Sequence, residues 1–173
     1  MRLRLVVVAS ILTACSSGYS SGVDGSKPFS TLTDAEARTA CENLNDYLAS
    51  SFPAARLDQT NCYIQALGST TSPSSCEAAH QACLGSPPGG PLTFSRTDCT
   101  GVMNDPTCTA RVSEVEACLT ARVEAQKDQL DVLDCSIAGD EAAIGRARAT
   151  PLAPAECTRL AETCPSLAGI SEG

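Results

Sequence analysis

The residues of this 173-residue chain with the most chemistry to offer are eleven cysteines and a single histidine. The cysteines stand at positions 15, 41, 62, 76, 83, 99, 108, 118, 135, 157 and 164. Thiol–disulfide catalysis uses a C-x-x-C pair, in which one thiol is activated beside the other. Structural zinc also uses closely spaced ligand pairs. Neither spacing occurs; the tightest pairs are two C-x6-C runs, Cys76 to Cys83 and Cys157 to Cys164. His80 is the only imidazole, and a general base needs a positioned nucleophile and an orienting acid, which the sequence around it does not signal. Asp128, Asp131 and Asp134 recur every third residue, a spacing that places them along one helix face and reads as a solvated face. No G-x-S-x-G, H-E-x-x-H or phosphate-loop word is present, nor an acidic calcium loop with its glycine. No catalytic residue, metal or cofactor is assigned, and the chain is not expected to be an enzyme.

Cys15 differs from the other cysteines in what precedes it. Arg2 and Arg4 form a short positive region, and Leu5 to Leu12 form an apolar run interrupted by Ser10. The run is about half of the roughly 20 residues that span a bilayer, and it ends in Leu12-Thr13-Ala14-Cys15. This arrangement fits an export signal, and its last four residues resemble the lipobox of bacterial lipoproteins. The resemblance implies cleavage before Cys15, a diacylglycerol thioether on its sulfur and a further fatty acyl chain on its amine. Two or more chains anchor stably where one is marginal, at about 0.8 kcal/mol per buried methylene. Ser16 is not Asp, so by resemblance to the usual sorting rule the outer membrane is expected, on either its periplasmic or its surface face.

With Cys15 assigned to lipid, ten cysteines remain, an even number that in an exported chain reads as a disulfide framework. Residues seven apart in a helix are about 10.5 Å apart along its axis, whereas a disulfide needs Cα atoms within about 7 Å. Neither C-x6-C pair can therefore close on itself in an intact helix, and each short helix must be riveted to a neighbour at two points. Antiparallel packing predicts Cys41–Cys83 nested with Cys62–Cys76, and Cys118–Cys164 nested with Cys135–Cys157, leaving Cys99–Cys108. A straight helix would hold Cys118 and Cys135 about 25 Å apart. The helix must therefore end before Cys135 and the chain turn back, or the pairing is different.

The elements that position these cysteines are helical. Thr33 and Glu36 make a capping box ahead of Ala37, Ala40, Cys41, Leu44 and Leu48, and Pro53 breaks that helix. A second piece carries Leu57, Cys62, Ile64 and Leu67. A third starts at Ser72-Pro73 or Ser74–Glu77 and closes at Leu84-Gly85, with the glycine in a C′-like position. A long helix is expected from Thr109 or Ser113 to Leu133, burying Val112, Val115, Leu119, Val123, Leu130 and Leu133. A last helix runs from Pro154 to Cys164-Pro165. No alternating strand pattern of useful length appears, so the fold is expected to be all-α. The chain has no Trp, and its last aromatic residue is Phe94. The C-terminal half must then build its core from Leu, Val, Ile, Ala and Cys.

The halves look duplicated: SCEAAHQACL matches ECTRLAETCP, and EARTACENL matches EVEACLTA. The expected organisation is a signal peptide at 1–14 and an acylated cysteine with a Ser/Gly-rich flexible tether at 15–30. A small disulfide-stapled helical domain of two related four-cysteine repeats follows at 31–167. Repeat one covers about 33–85, a Pro/Gly-rich linker about 86–108 and repeat two about 109–167, and 168–173 form a flexible tail. Removing Arg2 and Arg4 leaves 10 basic against 20 acidic residues, a net charge of about −10. This argues against nucleic acid, whose binding rests on Lys and Arg, and against attraction to anionic lipid. Membrane contact is expected through acyl chains alone.

The lipobox, the tether and phrases such as CTARVSEVEACL together resemble the cysteine-rich helical lipoproteins of unknown function of myxobacteria and related predatory or soil bacteria. The resemblance implies a cell-envelope location and supplies no activity. The expected function is a lipid-anchored, non-catalytic binding or structural module for a protein or glycan partner. The alternative is an envelope enzyme or enzyme accessory whose site would group His80 with carboxylates of the second half.

Overall fold

Each helix begins where the sequence offers a cap and stops where it offers a break. In the computed structural model, residues 18–87, 89–100, 106–149 and 152–165 are described. Cys15, the signal segment 1–14 and the tail 168–173 lie outside the described residues. Helix α1 (Asp34–Ser51) opens with the expected capping box. The Glu36 amide donates to Thr33 Oγ1 at 3.3 Å, and the Thr33 amide donates to Glu36 Oε2 at 2.8 Å. Pro53 separates it from α2 (Ala54–Ser69). Ser72 Oγ accepts the Ser75 amide and Pro73 takes the first position of α3 (Pro73–Leu84). Gly85 ends α3 at φ −68°, in right-handed rather than left-handed backbone.

Helix α4 (Val112–Asp131) is opened by Glu114, whose carboxylate accepts the Arg111 amide at 2.7 Å. It stops short of Leu133. Asp134 therefore lies off the helix and instead caps a 3-10 turn at Cys135–Ile137. Helix α5 (Glu141–Arg148) was not expected from the sequence. Asp140 accepts the Ala143 amide at its start, and Arg146 and Arg148 sit at its end, where positive charge suits the helix dipole. Helix α6 (Ala155–Thr163) completes an all-α fold. Among the described residues the only β pairing is an isolated bridge between Pro28 and Arg111.

Two helix pairs organise the molecule: α2 on α3, and α4 on α6. The larger core joins Phe52, Leu57, Leu67, Val123, Leu130, Leu133 and Ile144. The second core consists of Ala110, Val115, Leu160 and the buried cysteines 108, 118, 157 and 164, with Phe29 packed at its edge. Sulfur thus fills the volume that aromatic residues would otherwise occupy, as the composition of the C-terminal half required.

All ten body cysteines are bridged, but none of the five expected pairs forms. The bridges are Cys41–Cys99, Cys62–Cys83, Cys76–Cys135, Cys108–Cys164 and Cys118–Cys157, with Cα–Cα distances of 4.2–5.8 Å. The rivet argument holds, since α3 and α6 are each fixed at two points, but the partners differ. Cys62 lies about two turns back along α2 from the α2–α3 connection, while Cys76 lies less than one turn into α3. Cys62 is therefore level with Cys83, which excludes both Cys62–Cys76 and Cys41–Cys83. Cys41 bonds Cys99 of the linker instead. In the second half α6 runs back along α4, so that Cys157 at its start meets Cys118 and Cys164 at its end meets Cys108. This replaces Cys118–Cys164 and Cys99–Cys108. Cys135, beyond the end of α4, turns away from Cys157 and reaches Cys76.

These bridges replace the expected four-cysteine repeats with five-cysteine units. In chain order, cysteines 41, 62, 76, 83 and 99 pair first with fifth and second with fourth. Cysteines 108, 118, 135, 157 and 164 do the same. The two middle cysteines, Cys76 and Cys135, join the units. The linker cysteines are the last of one unit and the first of the next.

The flexible tether expected at 15–30 is corrected over its described part. Residues 18–30 lie along α4 and α1 as a strap. The Tyr19 amide donates to Thr120 Oγ1 at 2.9 Å and its phenol donates to the Ala40 carbonyl at 2.7 Å. Both the amide and the hydroxyl of Ser21 donate to Glu116 at 2.7 Å. Further along, the Ser113 and Val112 amides donate to the Gly25 and Lys27 carbonyls, and the Phe29 amide donates to the Ala110 carbonyl. Serine and glycine give flexibility only when their polar groups are left to water; here helix side chains and backbone take them up.

Candidate functional site

His80 sits on α3 with 4% of its surface exposed. Its ring lies flat on Tyr63 of α2, with centroids 3.8 Å apart and planes within 5°. Its Nε2 is shut from solvent and has no hydrogen-bond partner among the described residues. The ring borders a hollow of about 690 Å³ whose other walls include Glu77, Gln81, Asp134 and Ser136. The hollow therefore brings His80 beside one carboxylate of its own half and one of the second. Asp134 is already engaged, accepting the Ser136 amide at 2.7 Å. A general base must offer a ring nitrogen within reach of the proton it removes. Nε2, shut from solvent, offers none to a molecule outside the fold.

The three aspartates do not share a face. Asp131 pairs with Arg56 of α2 at 2.6 Å, Asp134 caps the 3-10 turn, and Asp128 borders a separate apolar hollow of about 550 Å³ between α4 and α5. Among the described residues, no group of three or more His, Cys, Asp or Glu side chains could hold a metal ion. No described helix is long and apolar enough to cross a membrane.

The polar residues that do the most structural work went unrecognised in the sequence. Asn45 of α1 and Asn61 of α2 are 5% and 4% exposed. Each clasps the long connection after α3 as a second backbone strand would. Asn61 Nδ2 donates to the Leu92 carbonyl at 2.9 Å, and the Leu92 amide donates back to Asn61 Oδ1 at 3.0 Å. Asn45 does the same with Thr97, at 2.9 Å in both directions. Arg96 pairs with Asp46 at 2.6 Å, and Cys99 closes onto Cys41 beside them. The one sequence signal of the two asparagines is an apolar core residue a turn away, Leu57 for Asn61 and Leu48 for Asn45, and it can be read only once the helix phase is known.

Electrostatics at the strap follow its geometry. Burial, with the Glu116 carboxylate nearby, pushes the Tyr19 phenol well above the ordinary range. The Lys27 ammonium, then the Thr33 amide and hydroxyl, lower Glu36 to about 2. Asp24 is lowered by the Ser26 amide and hydroxyl. No family model, curated protein or solved structure matches this chain.

Proposed function

We propose that the chain is a lipid-anchored protein of the bacterial cell envelope that serves as a non-catalytic binding or structural module. The observation that carries this reading is the bridge count. The ten body cysteines are consumed by five mutual disulfides, which leaves no cysteine to pair with Cys15. Cys15 is also the one placed directly after an apolar run in a lipobox-like word. Five bridges in a body this small fit an oxidising compartment, and the lipid on Cys15 would hold the body at a membrane. The buried imidazole of His80 and the dispersed aspartates favour recognition of a protein or glycan partner over acid–base chemistry.

The test is expression of the full chain in a Gram-negative host fed an alkyne-tagged palmitate. The label is expected on the chain and in the outer-membrane fraction, and Cys15→Ala should abolish both. A chain that reaches the periplasm unlabelled would refute the anchor. Partner binding is tested by pull-down from envelope extracts, and recovery no better than with a scrambled control would count against a binding role.

A further inference from the structure

The strap decides how far the body can stand from its anchor. With a free Cys15–Ser30 segment, the fifteen-residue span could reach about 50 Å, at roughly 3.3–3.6 Å per residue. The strap removes almost all of that reach. Gly18 is lodged against α4 so closely that a Cβ there would sit 3.1 Å from Thr120 Oγ1 and Cγ2. Tyr19 and Ser21 are 8% and 2% exposed and are held by α1 and α4 through the bonds described above. Only Ser16 and Ser17 then stand between Cys15 and the fixed body at Gly18, a Cα–Cα reach of at most about 11 Å. The polar layer of one leaflet is itself roughly 5–8 Å thick.

We infer that the shoulder formed by Gly18, Tyr19 and Ser20 against the middle of α4 and α1 is a membrane-apposed face, held directly on the lipid headgroups in one orientation. This rests on the acylation of Cys15 proposed above. The occupant is a lipid surface because the chain's own covalent path leads there. The body contributes no attraction of its own, since its net charge is about −10, so apposition depends on the short anchor. Helix α3 packs against α2 and the Cys135–Ile137 turn, while the strap packs against α1 and α4. On this inference the α3 side, with the His80 hollow, is set apart from the face on the bilayer, since α3 packs against neither the strap nor its anchoring residues.

The chain contains no tryptophan, so one introduced indole is a clean reporter. The full chain carrying Ser20→Trp or Gln81→Trp, both at exposed positions, would be purified from membranes. Its mass would be checked for acylation and for ten bridged cysteines. It would then be placed in zwitterionic vesicles containing a dansyl-headgroup lipid. Energy transfer is expected to be at least about twofold stronger from Ser20→Trp, which would sit about one headgroup layer from the acceptors. A long Gly/Ser insert between Cys15 and Gly18 should lower it to the level of Gln81→Trp. Equal transfer from both reporters of an acylated, fully bridged protein would overturn the apposed face while leaving the anchor intact. A mass without acyl chains would overturn the anchor and this inference together.

Discussion

At the residue scale, the clasp of Asn45 and Asn61 shows how buried polarity fixes a long connection. A carboxamide sets an N–H donor and a carbonyl acceptor side by side in one plane, the pair that a peptide offers, and has a second N–H besides. Asn61 can therefore hold Leu92 where no strand exists. Asn61→Ala removes both hydrogen bonds from the partly buried Leu92 peptide and is expected to destabilise the fold by about 1–3 kcal/mol, read by urea denaturation with bridges intact. Gly90 lies so close to the Asn61 side chain that a Cβ would overlap it. Gly90→Ala should cost a similar amount, about 1–3 kcal/mol, by forcing the clasp apart. Glu36 makes a pH prediction. Its folded pKa of about 2 lies below its ordinary 4.5, so its contribution is present above about 4.5 and is lost as pH falls through about 2. Stability measured across that window should decline less steeply in Glu36→Gln than in the parent chain.

At the element scale, α1, α2, α3 and α6 were legible from conspicuous caps or breakers and α4 from its apolar period, whereas α5 was not. Thr33–Glu36, Pro53, Ser72-Pro73 and Pro154 mark boundaries through local backbone chemistry, and local chemistry is what a sequence displays directly. Helix α5 has only Ile144 and Ala147 buried, so its apolar period is too sparse to register. It forms because Asp140 caps it and because α4 and the larger core receive those two side chains. The end of α4 at Asp131 is likewise set by packing, as Leu133 must leave the helix line to enter the core. That same departure took Asp134 away from the expected acidic face and Cys135 towards Cys76. Removing the α5 cap with Asp140→Ala is expected to cost about 1 kcal/mol. Hydrogen exchange should show the loss concentrated in amides 141–148, while α2 and α3 stay protected.

At the scale of the whole molecule, the disulfide class and the all-α fold were readable from composition and period, but the connectivity was not. Pairing depends on which cysteines share a level once helices are stacked, and a one-cysteine shift in frame hides the five-cysteine unit. The bridges also differ in access. Cys41 and Cys99 are both partly exposed, whereas every other bridge has at least one fully or nearly fully buried sulfur-bearing residue. Mild reduction followed by alkylation should therefore label Cys41 and Cys99 first, with peptide mapping as the readout. Preferential labelling of Cys118 and Cys157 would contradict the arrangement of the second core. The pairing has a further consequence in time. A chain delivered from its N-terminus can close Cys41–Cys99 and Cys62–Cys83 as soon as Cys99 emerges, but Cys76 has to wait for Cys135. For that interval the half-made molecule carries one unpaired thiol inside an otherwise finished unit, which is where an oxidase or isomerase would be caught as a mixed disulfide.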